Sequence, residues 1–173
     1  MIPATAENAD DDLRVSAVRS GDDLAWVVRN ATDTPVWAYV FVPALVNGAL
    51  RITGDTAWVR LVDGVAVISL TDAPVPPKTF AERPQIGAVR IEPNQQIEGH
   101  VKLGDRVTER WAFGAGTPQT FALDQLVLEV GWIPVREDQT VKVGTWEGGQ
   151  TSFVPSERAP GGQRISRSAT IDW

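Results

Sequence analysis

The sequence predicts an all-β fold, an antiparallel β-sandwich with extra strands at its C-terminal end. Three observations predict it. Apolar and polar residues alternate over many short runs, the period of a half-buried strand. Gly, Pro, Asn and Asp punctuate those runs at regular spacing, which reads as a sandwich or barrel. No helical period is sustained for three turns, and the best helical candidate is a single turn near residues 120–125.

The stretch 24–42, LAWVVRNATDTPVWAYVFV, organises the rest. It reads as two strands joined by a polar turn. Leu24, Trp26 and Val28 share one face, and the other carries Ala25, Val27 and Arg29, so the first set is assigned to the core. Residues 30–35 are turn chemistry, with short polar side chains that bond nearby backbone groups. Pro35 then fixes φ where the next strand begins. Residues 36–42 carry no charge on either face. Trp37, Tyr39 and Phe41 share one side; Val36, Ala38 and Val40 share the other. A strand apolar on both sides is usually covered on both sides, here by a core and a loop. The competing reading has one face docking a partner or ligand.

The other elements follow in order. Residues 1–11 are polar and acidic and are expected to be mobile. Leu13, Val15 and Ala17 mark a first strand, and residues 20–23 (SGDD) a turn. Pro43 interrupts the next ladder, and Asn47-Gly48 is a turn signal. Asp63-Gly64, between strand-forming runs 56–62 and 65–70, predicts a two-residue type I′ hairpin. Residues 73–84 hold four of the twelve prolines. They are expected to form an extended crossover from one sheet to the other. Strands follow at 87–92 and 96–103 around Pro93-Asn94, then at 107–113. Leu126, Leu128, Val130 and Trp132 mark a late core strand ending at Pro134. Residues 135–173 hold two or three short strands, near 140–143, 150–154 and 163–171, packing on the same domain. The expected divisions are therefore 1–11, a sandwich core at 12–134, and the C-terminal strands at 135–173.

Two motifs sharpen this. Residues 29–36 (RNATDTPV) have the strand–turn–strand form N-x-[S/T]-x-x-P-V. Residues 90–95 (RIEPNQ) are similar to an L-x-P-G-x turn before a long strand, with Asn94 in place of Gly. In these features the chain resembles bacterial immunoglobulin-like domains, over roughly residues 13–133. The resemblance implies an immunoglobulin-like antiparallel β-sandwich with a C-terminal extension of extra strands. It transfers no functional residues, and the cysteine pair of antibody-type domains is absent.

Composition narrows function. A chain of 173 residues suggests one domain, and it can bury roughly 70% of its unfolded surface without a staple. It has no cysteine, so neither disulfides nor thiolate chemistry apply. Net charge is −6 and pI about 4.8, with Lys and Arg scattered, so no electrostatic footprint for nucleic acid exists. No apolar run is long enough to span a membrane. The N-terminus, MIPATAENADDD, is no signal peptide as it stands. It fits a mature exported chain with an added Met1, and equally a cytoplasmic start. The reading leans to a periplasmic or secreted protein, because Cys-free, Trp-rich β domains are common there.

Catalytic and metal signals are weak. His100 is the single histidine. A Ser–His–Asp triad would need it, but no G-x-S-x-G elbow is present, so it reads as a solvent-facing strand residue. One histidine and no cysteine give no zinc or copper site. Asp10, Asp11, Asp12, Asp22 and Asp23 offer calcium-type oxygens without an EF-hand loop and read as solvated. Glu98, Glu109 and Glu129 fall on strands, and a glycosidase would need two of them across a cleft. Gly114-x-Gly116 reads as a turn, and residues 74–78 (PVPPK) match an SH3-ligand form better explained by a crossover.

Tryptophan is the most informative residue: seven Trp against one Tyr. Trp26, Trp37 and Trp132 belong to core faces. Trp58 lies on a face with Arg60 and is expected to be exposed. Trp111, Trp146 and Trp173 lie near turns or the C-terminus, and exposed Trp stacks on sugars or anchors protein interfaces. The competing account packs them under the C-terminal segment. The expected function is a non-enzymatic binding or assembly module acting through protein contact or self-association, with no cofactor. Its candidate residues are Trp37, Tyr39, Phe41, Trp58, Trp111 and Trp146. The alternatives are a carbohydrate-binding module on Trp58, Trp111 or Trp146, and a hydrolase with an unrecognised site.

Overall fold

The computed structural model describes residues 6–7, 12–72, 85–110, 117–146, 148–156 and 162–173. Among them the chain is all-β, built from several sheets with no α-helix and no closed barrel. β1 (Ala6–Glu7) pairs antiparallel with β2 (Leu13–Ser20), so this part of the stretch expected to be mobile forms a strand. β2 and β3 (Asp23–Asn30) form a hairpin closed by Ser20 and Asp23, with Gly21 at φ 64°. As alternation predicts, Leu13, Val15 and Ala17 are buried on one, and Leu24, Trp26 and Val28 on the other.

The chain leaves this sheet at Asn30. β4 (Val36–Phe41) belongs to a second, nine-stranded sheet, so the two strands of the stretch 24–42 sit in different sheets. β5 (Pro43–Val46) and β6 (Ala49–Ile52) form a separate hairpin across Asn47-Gly48, at φ 51° and 80°. β7 (Trp58–Val62) and β8 (Val65–Leu70) close on Asp63-Gly64, at φ 50° and 81°. Both φ values are positive, as a type I′ turn requires.

β9 (Gly87–Ile91) lies in the same large sheet as β8. The strands flanking residues 73–84 therefore share one sheet, which corrects the expected inter-sheet crossover; those residues themselves are outside the described ones. The change of sheet occurs instead after Ile91. There Asn94, at φ 62°, turns the chain into β10 (Gln96–Lys102), which pairs with β3. β11 (Arg106–Thr108) pairs with β12 (Thr120–Ala122), so the helical turn expected near 120–125 is a strand. Residues 111–113 of the strand expected over 107–113 are outside the described residues.

β13 (Gln125–Pro134) is the spine of the large sheet. It pairs antiparallel with β4 and parallel with β8, so the sheet is mixed rather than purely antiparallel. Four C-terminal strands complete the set: β14 (Lys142–Trp146), β15 (Gly149–Phe153), β16 (Arg164–Arg167) and β17 (Ile171–Asp172). The order is β14-β15-β9-β4-β13-β8-β7, with β16 and β17 also on β13. The small sheet runs β1-β2-β3-β10. Side chains of both sheets join one hydrophobic core, from Leu13 and Trp26 to Tyr39, Ile68 and Leu128.

Candidate functional site

The described aromatic candidates turn inward. Tyr39 is fully buried, and its hydroxyl donates to the Val154 carbonyl at 2.6 Å. Trp37 is buried and its indole N–H donates to Gln139 Oε1 at 3.1 Å. Phe41 is half-buried, with its ring centroid 4.6 Å from that of Trp146. The face carrying Trp37, Tyr39 and Phe41 is thus held against residues 139–154. The cover on this side of the strand is the chain's own C-terminal segment.

Trp58, expected to be exposed, is only 3% accessible. Its partners explain the error. Its indole N–H donates to the Thr71 carbonyl at 3.1 Å, and Arg110 lies over its ring at 4.8 Å. Trp58 does share a face with Arg60, but that face is covered, and Arg60 is itself drawn down onto the buried Glu129 carboxylate. Trp146 is half-buried: a Cβ at Gly54 or Gly148 would lie 2.6 or 2.3 Å from its six-membered ring. That ring is occupied by glycine backbone and Phe41, so it offers little open surface for a sugar. Trp111, residues 74–78 and Gly114-x-Gly116 are outside the described residues. Trp173 donates to the Gly104 carbonyl at 3.0 Å under Arg19, whose guanidinium is 4.6 Å from its ring.

The carboxylates do not assemble. Glu98 is exposed on β10 in the small sheet, while Glu129 is buried on β13 in the large one. Glu109 bonds through its backbone N–H to Gln119. His100 is exposed on β10 opposite Ala25. Among the described residues no three His, Asp or Glu side chains gather as a metal site, and no helix is long and apolar enough to cross a membrane.

Glu129 forms a cluster that sequence reasoning did not find. One carboxylate oxygen accepts from Arg60 at 2.9 Å and from the Ser69 hydroxyl at 2.5 Å; the other accepts from Arg167 at 3.1 Å. These residues come from β7, β8, β13 and β16, so no local spacing links them. A buried carboxylate persists only when paired and hydrogen-bonded. Each oxygen is committed, so the cluster reads as a clamp across the sheet. Nearby, Asp72 accepts from the Ser156 hydroxyl at 2.5 Å and bonds Gln163 through its backbone. Two further charges are shifted. Burial raises the Asp55 carboxyl, but Thr53 and the Lys102 ammonium, 3.3 Å away, outweigh it and hold it below the usual carboxylate range. Burial pushes the Arg110 guanidinium down.

The edges of the two sheets differ in what they present. At β7, Val59 exchanges both backbone bonds with Arg110, at 2.7 and 2.8 Å. β10 carries Glu98, His100 and Lys102 on its exposed side, and the Lys102 N–H bonds Asp55. Charges and caps of this kind blunt an edge. β14 ends the large sheet and pairs with β15 alone among the described residues. Val143 on it is 65% exposed and Val141 beside it 41%, with Thr145 exposed on the same side. Sequence reading placed a strand at 140–143 and turns from 144. The alternation Val141, Val143, Thr145 before Gly148-Gly149 was the available signal.

No protein-family model, no curated protein and no solved structure matches this chain.

Proposed function

We propose that this protein is a non-enzymatic binding and assembly module, an immunoglobulin-like β-sandwich that acts through the β14 edge of its large sheet. The observation that carries the reading is the exposure of Val143 on the terminal strand of the nine-stranded sheet, and of Val141 just before it. An open edge presents unpaired N–H and C=O groups to an extended chain, and alternate side chains select it. Apolar β-branched residues suit such a cross-strand contact. The β10 edge is charged, and β7 at the other end of the large sheet is bridged to Arg110 at Val59 with Leu61 and Val62 exposed beyond it; β14 carries the most exposed apolar side chain, Val143, which favours it as the docking strand. The described aromatic candidates serve the module's own packing.

The test is Val143→Lys. Its side chain is solvent-exposed, so folding is retained, and the added charge blocks edge pairing. Light scattering over a concentration series should show association in the wild type and its loss in the variant. Association unchanged by Val143→Lys would remove the β14 edge from the function.

A further inference from the structure

We infer that the chain seated on β14 is a second copy of this protein, paired antiparallel about a two-fold axis through Gly144. This rests on the edge reading above and adds the occupant and its register. Trp146 and Gly149, two residues apart in the chain, are the last pair of the hairpin. The closing pair of such a hairpin exchanges both backbone bonds, and pairs then alternate along the ladder. Gly144 with Thr151 is again a bonded pair, while Val143 with Ser152 and Thr145 with Gln150 are not. The backbone groups of Val143 and Thr145 therefore aim away from β15, towards the edge that no other described strand covers. Their side chains are exposed too, as is that of Lys142.

A strand with outward-aimed groups at 143 and 145 can pair with itself about 144. Val143 then faces the partner's Thr145, and Thr145 the partner's Val143, each as a bonded pair. Two β-branched residues meet, which is a favourable cross-strand pair. Gly144 meets Gly144 of the partner subunit, with no side chain on either face. It is glycine for an internal reason too, since a Cβ there would lie 2.4 Å from the Phe153 ring. The one charge on the strand, Lys142, comes opposite the partner's Trp146, an uncharged residue. The two lysines stand four residues apart along the ladder, roughly 13 Å, beyond the Debye length of about 8 Å at physiological salt. No like charges oppose each other in this register. A one-residue slip would set Val143 against a backbone aimed the wrong way.

The contact is isologous and closes as a dimer. Five residues of edge bury well under the ~1,000 Å² of a stable interface, so the mass should rise with concentration rather than stay fixed.

The absence of cysteine makes the test direct. Val143→Cys and Thr145→Cys, each the only cysteine in its chain, are oxidised separately and as an equal mixture, beside light scattering of the wild type and Val143→Lys. The inference expects a concentration-dependent dimer, weakened about tenfold or more by Val143→Lys. It also expects the mixture to give several times the disulfide dimer of either variant alone. A dimer lost in Val143→Lys but cross-linked equally well by Val143→Cys alone overturns the register and leaves the edge reading standing. A dimer indifferent to Val143→Lys overturns both. A monomer at every concentration overturns self-pairing, and a synthetic peptide of residues 139–147 that still binds would keep the edge alone.

Discussion

The side-chain amide of Asn30 donates to the Ile91 carbonyl at 3.0 Å, joining two of the points where the chain changes sheet, after β3 and after β9. The same amide donates to Thr34 at 2.8 Å, and its oxygen accepts from the Thr32 N–H and hydroxyl. The backbones meet as well: Asn30 N–H donates to Gln95 and Asn94 N–H to Asn30. One fully buried side chain thus fastens the loop leaving the small sheet to the loop returning to it. Asn30→Ala leaves several buried backbone groups unpaired and should cost about 3 kcal/mol or more. Urea unfolding measures it; a loss under 1 kcal/mol would mean the two loops hold without it.

Glu129→Gln should destabilise by about 2 kcal/mol, since it removes the charge that Arg60 and Arg167 share. Arg167→Ala should cost under about 1 kcal/mol, because Arg167 is 56% exposed and its pair is screened. Equal losses in the two variants would contradict a clamp centred on the carboxylate.

The tryptophans should separate by their hydrogen bonds. Trp26 is buried in the core, but its indole N–H has no acceptor among the described residues. Trp58 bonds Thr71 and lies under Arg110. Replacing each with Phe removes similar volume. Trp58→Phe should cost about 1–2 kcal/mol more than Trp26→Phe, read from paired denaturation curves.

Tyr39→Phe should cost about 1–2 kcal/mol by stranding the buried Val154 carbonyl. The loss should be felt locally. Hydrogen exchange at β15 should quicken more than at β2, and uniform quickening would deny the tie between β4 and the C-terminal segment.

The Asp55–Lys102 pair sets an acid dependence. The folded Asp55 carboxyl lies below its ordinary 3.8. Its contribution is therefore complete above the unfolded value and is lost as pH falls through the folded one. The stability gap between wild type and Asp55→Asn should be widest near pH 7 and close below about pH 4. A gap that stays constant with pH would exclude the pair as its source.

The candidate site was legible only in part. Trp37, Tyr39 and Phe41 stood out as an uncharged run, and that much is local. Whether the run meets a partner or the chain's own residues 139–154 depends on segments a hundred positions away. The Glu129 cluster draws one residue from each of four strands, so nothing in its spacing announces it. β14 carried a readable alternation, but being an edge is a property of the whole sheet order.

What the sequence determined alone is what neighbouring residues decide together. Alternation put Leu13, Val15, Leu24, Trp26 and Val28 inside, and Asp63-Gly64 and Asn47-Gly48 set their hairpins through backbone freedom at positive φ. Only the tertiary structure decided that β8 runs parallel to β13, that the sheet change falls after Ile91, and that Trp58 is buried. Each of these turns on which distant strand lies alongside, and pairing energy depends on contact across space rather than on separation along the chain.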